Sequence, residues 1–243
     1  MRRALLAPLA TVALAGAAVG MAPPAAAVPS CFGRPATIVG TAGADHIAGT
    51  SGPDVIAGLG GGDVIGGFRA ADRICGGPGA DDIDGGGGND RIAGGAGNDV
   101  LSGDTGDDII RGNRGQDYAS FSGGNGVTAN LLSGHAVGQG SDTLQTIENL
   151  LGSSQPDQLT GDDAQNVFFA GGGGDLLQGR DAHDELVGQD GPDHIGGNGG
   201  PDFLFGNADD DELIGGAGQD EAFGGPHVNG DVCDAEGETG CEF

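Results

Sequence analysis

Gly94-Gly95-Ala96-Gly97-Asn98-Asp99-Val100-Leu101-Ser102 is the stretch that decides the fold: glycines, one aspartate and one leucine take fixed places in nine residues. Its first glycine recurs every nine residues, as Gly40, Gly49, Gly58, Gly67, Gly76, Gly85, Gly103 and Gly112. The fourth place is glycine at 43, 52, 61, 79, 88, 97, 106 and 115, with Ala70 as the exception. The sixth place is aspartate in every unit: Asp45, Asp54, Asp63, Asp72, Asp81, Asp90, Asp99, Asp108 and Asp117. The eighth is Ile47, Ile56, Ile65, Ile74, Ile83, Ile92, Leu101 and Ile110, lapsing only at Ala119. Compositional bias does not hold aspartates in phase over so long a run.

A second array repeats the pattern from Gly152, shifted by four residues relative to the first frame. Its sixth places are Asp157, Asn166, Asp175, Asp184, Asp193, Asp202, Asp211, Asp220 and then Asn229. Its eighth places are Leu159, Phe168, Leu177, Leu186, Ile195, Leu204, Leu213 and Ala222. The array is more degenerate, since Ala164, Ala182 and Asp209 replace the fourth-place glycine. From Gly224 onward the unit dissolves into a C-terminal cap.

The period has a direct physical reading. One aliphatic residue flanked by two others is a minimal strand whose middle side chain points inward. The six residues before it must form a tight turn, where glycine tolerates positive φ and close packing. Strand, turn, strand and turn make one flattened coil of eighteen residues. Coils would stack at about the 4.8 Å strand spacing, so the aspartates line up in columns along both edges. Stacked like charges repel, and a thin aliphatic core compensates weakly. A cation between the turns resolves this. Carboxylates and backbone carbonyls are oxygen-only ligands, which suit Ca²⁺ better than magnesium or zinc.

Composition agrees. Glycine supplies 55 of 243 residues, and 36 acids face 9 arginines with no lysine, for a net charge of −27. Interior glycines cost a helix about 0.5–1 kcal/mol each relative to alanine. Nucleic acid and anionic membranes are poor partners for this surface, and glycine does not recur at collagen's third place. The remaining choice lies between an acidic disordered chain and a chain whose carboxylates are neutralised by something bound. The fixed phase favours the second.

These residues resemble the RTX, or haemolysin-type calcium-binding, repeat family, whose nonapeptide is G-G-x-G-x-D-x-U-x. The stretch from Gly94 to Ser102 matches it place for place. The resemblance implies an all-β, right-handed parallel β-roll (a β-solenoid) holding multiple Ca²⁺ ions between turns one coil apart. It implies side-chain ligands at Asp45, Asp54, Asp63, Asp72, Asp81, Asp90, Asp99, Asp108 and Asp117. In the second array these are Asp157, Asp175, Asp184, Asp193, Asp202, Asp211 and Asp220. Turn carbonyls would complete each shell. On one edge Asp45–Asp63, Asp63–Asp81, Asp81–Asp99 and Asp99–Asp117 would pair. On the other, Asp54–Asp72, Asp72–Asp90 and Asp90–Asp108 would. Phe68, Ala70 and Asn166 depart from the pattern and should weaken their sites.

The ends and the gap complete the organisation. Met1-Arg2-Arg3, an apolar run from Ala4 to about Val19, and Ala25-Ala26-Ala27 predict a signal peptide over 1–27. A retained anchor and a lipid on Cys31 are the alternatives. Residues 28–39 then form an N-terminal cap, 40–117 the first array, 118–151 a linking segment, 152–223 the second array and 224–243 a C-terminal cap. A secreted chain meets an oxidising compartment, so Cys31, Cys75, Cys233 and Cys241 read as disulfides, in any of three connectivities. Local pairing would give one staple at each end. In the linking segment Val127, Ala129 and Leu131 alternate with Thr128, Asn130 and Leu132, which predicts a short strand or hairpin. The run from Ser141 to Ser153 resembles a segment that joins repeat blocks in RTX proteins. The segment reads as a coil of different length continuing one solenoid, with two separate rolls as the alternative.

No His-Glu-x-x-His, Gly-x-Ser-x-Gly or P-loop motif occurs, and His46, His183, His194 and His227 fall in outward slots, so the chain reads as no enzyme. One pattern lies outside the calcium motif. Phe169, Val187, Phe205 and Phe223 occupy ninth places on alternate repeats, an outward apolar stripe on one sheet. It is either covered by the chain itself or used for self-association or contact with a cell surface or matrix. The resulting expectation is a secreted calcium-binding protein that folds on calcium. A calcium-stapled structural or adhesive surface protein is the alternative.

Overall fold

The computed structural model describes residues 28–226, 232–234 and 237–239. Every regular element among the described residues is a β-strand, and no helix among them is long and apolar enough to cross a membrane. Each eighteen-residue coil gives one strand to each of two sheets. Val100–Ser102 pairs in parallel with Asp82–Asp84 before it and Tyr118–Ser120 after it, with Leu101 opposite Ile83 and Ala119. On the opposite sheet Arg91–Ala96 lies between Arg73–Pro78 and Ile109–Arg114. The molecule is an all-β parallel solenoid, a β-roll with an 11-stranded and a 13-stranded sheet.

Because side chains alternate along a strand, only the eighth residue of each unit points between the sheets. Ile56, Ile74, Ile92, Leu101, Ile110, Leu159, Phe168, Leu177, Leu186, Leu204 and Leu213 are all 0% exposed. Each such side chain stabilises the roll by about 1.5–3 kcal/mol. Ala119 is as deeply buried, and Phe121 two residues later joins the same core cluster to fill the space.

The linking segment does not split the molecule. In the larger sheet the spatial order is Ile109–Arg114, Ser141–Gln145, His135–Val137, Thr128–Asn130 and Gln158–Thr160. The chain overshoots, then returns through an antiparallel hairpin at the expected alternation. In the smaller sheet Asn149–Leu151 sits directly between Tyr118–Ser120 and Val167–Gly172. Both sheets therefore run through the junction as one solenoid. The larger sheet takes four strand steps there against two, a difference of roughly 9.6 Å at the standard spacing. Phe121, Val127, Leu144 and Ile147 of this segment are all buried and belong to the core cluster.

At the N-terminal end, Ile38–Val39 forms the outermost strand of the larger sheet. The hairpin of Ser30–Cys31 and Arg34–Pro35 precedes it. Cys31 is 1% exposed and bonded to Cys75, the residue beside inward-pointing Ile74. The hairpin thus lies over the outer face of the sheet instead of plugging its end, with Phe32 reaching under the Arg111 guanidinium at 5.6 Å. Cys233 is also disulfide-bonded. Val232–Asp234 and Gly237–Thr239 add a last strand to each sheet. The expected signal peptide, His227, Asn229 and Cys241 lie outside the described residues.

Candidate metal centres

Parallel pairing in eighteen-residue register sets each sixth-place aspartate directly against the next in its column. Along one edge the backbone N–H of Asp45 donates to Oδ1 of Asp63 at 2.9 Å, Asp63 to Asp81 at 2.8 Å, Asp81 to Asp99 and Asp99 to Asp117 at 2.9 Å. Along the other, Asp54 donates to Asp72, Asp72 to Asp90 and Asp90 to Asp108, each at 2.7 Å. The second array repeats this from Asp157 through Asp175 and Asp193 to Asp211, and from Asp184 through Asp202 to Asp220. Every sixth-place aspartate named from the sequence stands in one of these columns.

One carboxylate oxygen is thereby occupied; the other decides the chemistry. Oδ2 of Asp63, Asp72, Asp81, Asp90, Asp99, Asp108, Asp117, Asp175, Asp184, Asp193 and Asp202 is buried and receives no hydrogen bond. Each of these residues is at most 2% exposed. A charged oxygen sealed from water without a donor is strongly disfavoured, so it calls for a proton or a cation. Burial pushes the carboxyls of Asp90, Asp99 and Asp175 up to about 6 and those of Asp108, Asp184 and Asp193 up to about 7. The donated backbone N–H partly opposes this rise, and neighbouring carboxylates of the column add to it.

No cluster of three or more His, Cys, Asp or Glu side chains gathers among the described residues. A cation here would take its side-chain ligands from a column of single carboxylates and the remainder from main-chain carbonyls. That donor set is hard oxygen throughout, which fits calcium. The orphaned Oδ2 atoms and this donor chemistry both suit the ion.

The fourth repeat keeps the common turn although it lacks two glycines. Phe68 and Ala70 take φ of 79° and 72°, and Asp72 presents its Oδ2 as its neighbours do. Asp45, Asp54 and Asp157 differ, because their Oδ2 atoms accept from Thr41, Thr50 and Ser153.

Two column members escape a nine-residue count. Asp142 accepts the N–H of Asp108 at 3.0 Å, and Glu148 accepts that of Asp117 at 3.0 Å. Both lie in the linking segment, where the period is broken. A signal was present nonetheless: Asp142-Thr143-Leu144 and Glu148-Asn149-Leu150 keep the acid two residues before a buried leucine.

Among the described histidines, His194 pairs with Glu212 at 2.7 Å on the surface and His183 packs edge-on against Phe203. Phe169, Val187, Phe205 and Phe223 do stand opposite one another on one sheet. Phe205 and Phe223 stack at 5.0 Å between centroids, and Val187 is only 9% exposed. Part of this apolar surface is therefore already buried within the stripe.

Comparison with protein families gives a match to the RTX calcium-binding nonapeptide repeat (4 copies) over residues 39–67, 66–101, 84–119, 93–127, 144–177 and 196–226. No curated protein matches the chain.

Proposed function

Given that the chain belongs to the RTX calcium-binding nonapeptide repeat family, we propose that its role is multi-site Ca²⁺ binding coupled to folding outside the cell. The observation that carries this reading is the set of buried Oδ2 atoms without a donor. Asp63, Asp72, Asp81, Asp90, Asp99, Asp108, Asp117, Asp175, Asp184, Asp193 and Asp202 supply the side-chain oxygens, and Asp211 and Asp220 continue the same columns. Calcium bound there offsets charge that otherwise opposes stacking. A site assembled from two coils does not exist in the unfolded chain, so binding free energy becomes folding free energy. The residues carry no catalytic role in this reading; the repeat roll is a structural calcium-binding type.

Residues 1–27 act as the export signal, and calcium outside the cell then folds a chain that left the cytoplasm unfolded. The remaining organisation is a hairpin and edge strand over 28–39, arrays over 40–117 and 152–223, a linking segment over 118–151 and a C-terminal cap over 224–243. Far-UV circular dichroism in EDTA and then in excess CaCl₂ tests the coupling. A strong β signal appears only with calcium; equal signals in both sink it. Mass analysis of the exported product, expected to begin at Val28, tests the signal.

A calcium-stapled surface protein is the second reading, favoured by the register of Phe169, Val187, Phe205 and Phe223. Replacing Phe205 and Phe223 by serine should then leave calcium-dependent folding intact while abolishing self-association or retention on cell-surface material. Unchanged retention argues against it.

A further inference from the structure

We propose that the leading coil of each array is closed by the chain itself and takes no calcium on its own carboxylates, so that the cation columns begin one coil later. This rests on the calcium reading above and refines which turns it applies to.

The turns fall into two kinds, divided at the second residue of the nonapeptide. In the turns that leave Oδ2 without a donor, this residue has positive φ: Leu59 81°, Phe68 79°, Gly77 119°, Asn113 80°, Arg180 92° and Asn198 73° are examples. At Asn113 the N–H donates to Thr146 Oγ1 at 2.8 Å and not to Asp117. In the first two turns of each array the second residue is Thr41, Thr50, Ser153 or Asp162, and none of these appears among the positive-φ residues. β-Branched threonine resists the left-handed region, and its hydroxyl offers the turn another way to close.

The closure repeats in all four turns. Thr41 donates its N–H and Oγ1–H to Oδ2 of Asp45 at 2.6 and 2.9 Å, and Thr50 does the same for Asp54 at 2.7 and 2.9 Å. Ser153 donates its N–H to Oδ2 of Asp157 at 2.6 Å and its hydroxyl to Oδ1 at 3.1 Å. Asp162 donates its N–H to Oδ1 of Asn166 at 3.0 Å. The hydroxyl or carboxylate of the second residue also accepts the N–H two residues on, from Gly43, Gly52, Gln155 or Ala164.

Asn166 makes the contrast sharpest. It is 0% exposed, and its Nδ2 donates to the Glu148 carbonyl at 2.8 Å. An amide hydrogen thus meets a turn carbonyl across the coil boundary without any cation. The asparagine is a working part of a closed turn. Residue type alone is not sufficient, because Asp104 also holds the second place, with φ of 63°, and Asp108 keeps an orphaned Oδ2. Position matters too. Neither closed coil has a regular repeat turn before it to share an ion. The first opens both columns, and before the second stands the junction, where Glu148 precedes Asn166 and the Val127 N–H donates to Oδ1 of Asp157 at 2.6 Å.

Two readouts on the full chain test this: the number of bound Ca²⁺ ions by native mass spectrometry, and the calcium midpoint of folding by circular dichroism. Asparagine already serves in a closed turn at 166, so Asp54→Asn should keep the parent's ion count and midpoint. Asp157→Asn, which can no longer accept both the Val127 and Ser153 N–H groups, should keep the ion count. Asp90→Asn and Asp193→Asn should each lose at least one ion and raise the midpoint by roughly tenfold, the shift that about 1.4 kcal/mol of lost binding produces. Failure of either of these two to fold at any calcium level is the limit of that shift. Loss of an ion in Asp54→Asn or Asp157→Asn, or an equal midpoint shift in Asp54→Asn, overturns the proposal. If none of the four variants moves either readout, the ligand assignment on which it rests is what fails.

Discussion

The backbone N–H of Asp81 donates to Oδ1 of Asp99 at 2.9 Å across one coil, while Oδ2 of Asp99 is buried with no donor. One side chain therefore has two separable duties: it satisfies the main chain of the preceding turn, and it offers a negative oxygen to the space between turns.

Those duties can be told apart by substitution. Asp99→Asn keeps the acceptor but removes the charge, whereas Asp99→Ala removes both and leaves the buried Asp81 N–H unsatisfied. At saturating calcium the alanine variant should be less stable than the asparagine variant by about 1–3 kcal/mol. Denaturant unfolding measures the difference; equal stabilities would show that the ladder bond contributes nothing net.

Proton binding should partly replace the cation. Carboxyls held near 6 to 7 in the roll lie above the usual unfolded value of about 3.9. The folded metal-free chain then binds more protons than the unfolded one. Its stabilisation is complete below about pH 4 and disappears as pH rises through 6 to 7. In EDTA the β signal should grow on acidification from about pH 8 to about pH 5. With limiting calcium the same acidification should release the ion. A metal-free chain whose β content is flat or falling over that range contradicts the assignment.

Glycine at 97 and glycine at 66 should respond in opposite ways to alanine. Gly97 has φ of 141°, and a Cβ there would collide with the Gly79 carbonyl of the preceding coil. Gly66 ends a strand with open space around the corresponding position. Gly97→Ala should cost about 1–3 kcal/mol, a fall in Tm of roughly 2–4 °C for each kcal/mol. Gly66→Ala should be neutral or slightly stabilising. Thermal melts in excess calcium decide it, and similar losses in both variants would rule out the close approach as the cause.

Reducing the Cys31–Cys75 bond should loosen the N-terminal hairpin. The bridge closes a separation of 44 residues, for which chain entropy gives about 4 kcal/mol. The Cys31→Ser, Cys75→Ser double variant should lower the melting temperature of the calcium-loaded protein, whereas dithiothreitol would also open the bridge made by Cys233. A double variant that melts unchanged would mean the hairpin is held by packing alone.

Much of this architecture is local and could be read in advance. A nine-residue unit contains its own turn, its own three-residue strand and its own inward side chain, so Ile74, Leu101 and Leu186 declare themselves core by phase. The junction could not be read that way. Whether Thr128–Asn130 pairs with Gln158–Thr160 or with a neighbour in the first array depends on hydrogen bonds between distant segments, and neither segment carries that choice by itself. Asp142 and Glu148 were hidden for the same reason. The triplets were visible, but their membership in a column follows only from where the overshooting hairpin delivers them.

The nonapeptide phase by itself determined the two-sheet roll, the aliphatic seam and the rows of acids along its edges. Each of these depends on residues within one eighteen-residue coil. Tertiary structure alone decided that the arrays are one solenoid, that Cys31 reaches Cys75 across a sheet face, and which aspartates keep a buried oxygen without a donor. Asp54 and Asp72 occupy the same place in the motif. They differ because Thr50 closes one turn with its own N–H and hydroxyl, while Phe68, at positive φ, leaves the other open. Whether a buried oxygen has a donor depends on the backbone conformation and neighbours that surround it in the folded chain, and the identity of the residue does not settle it.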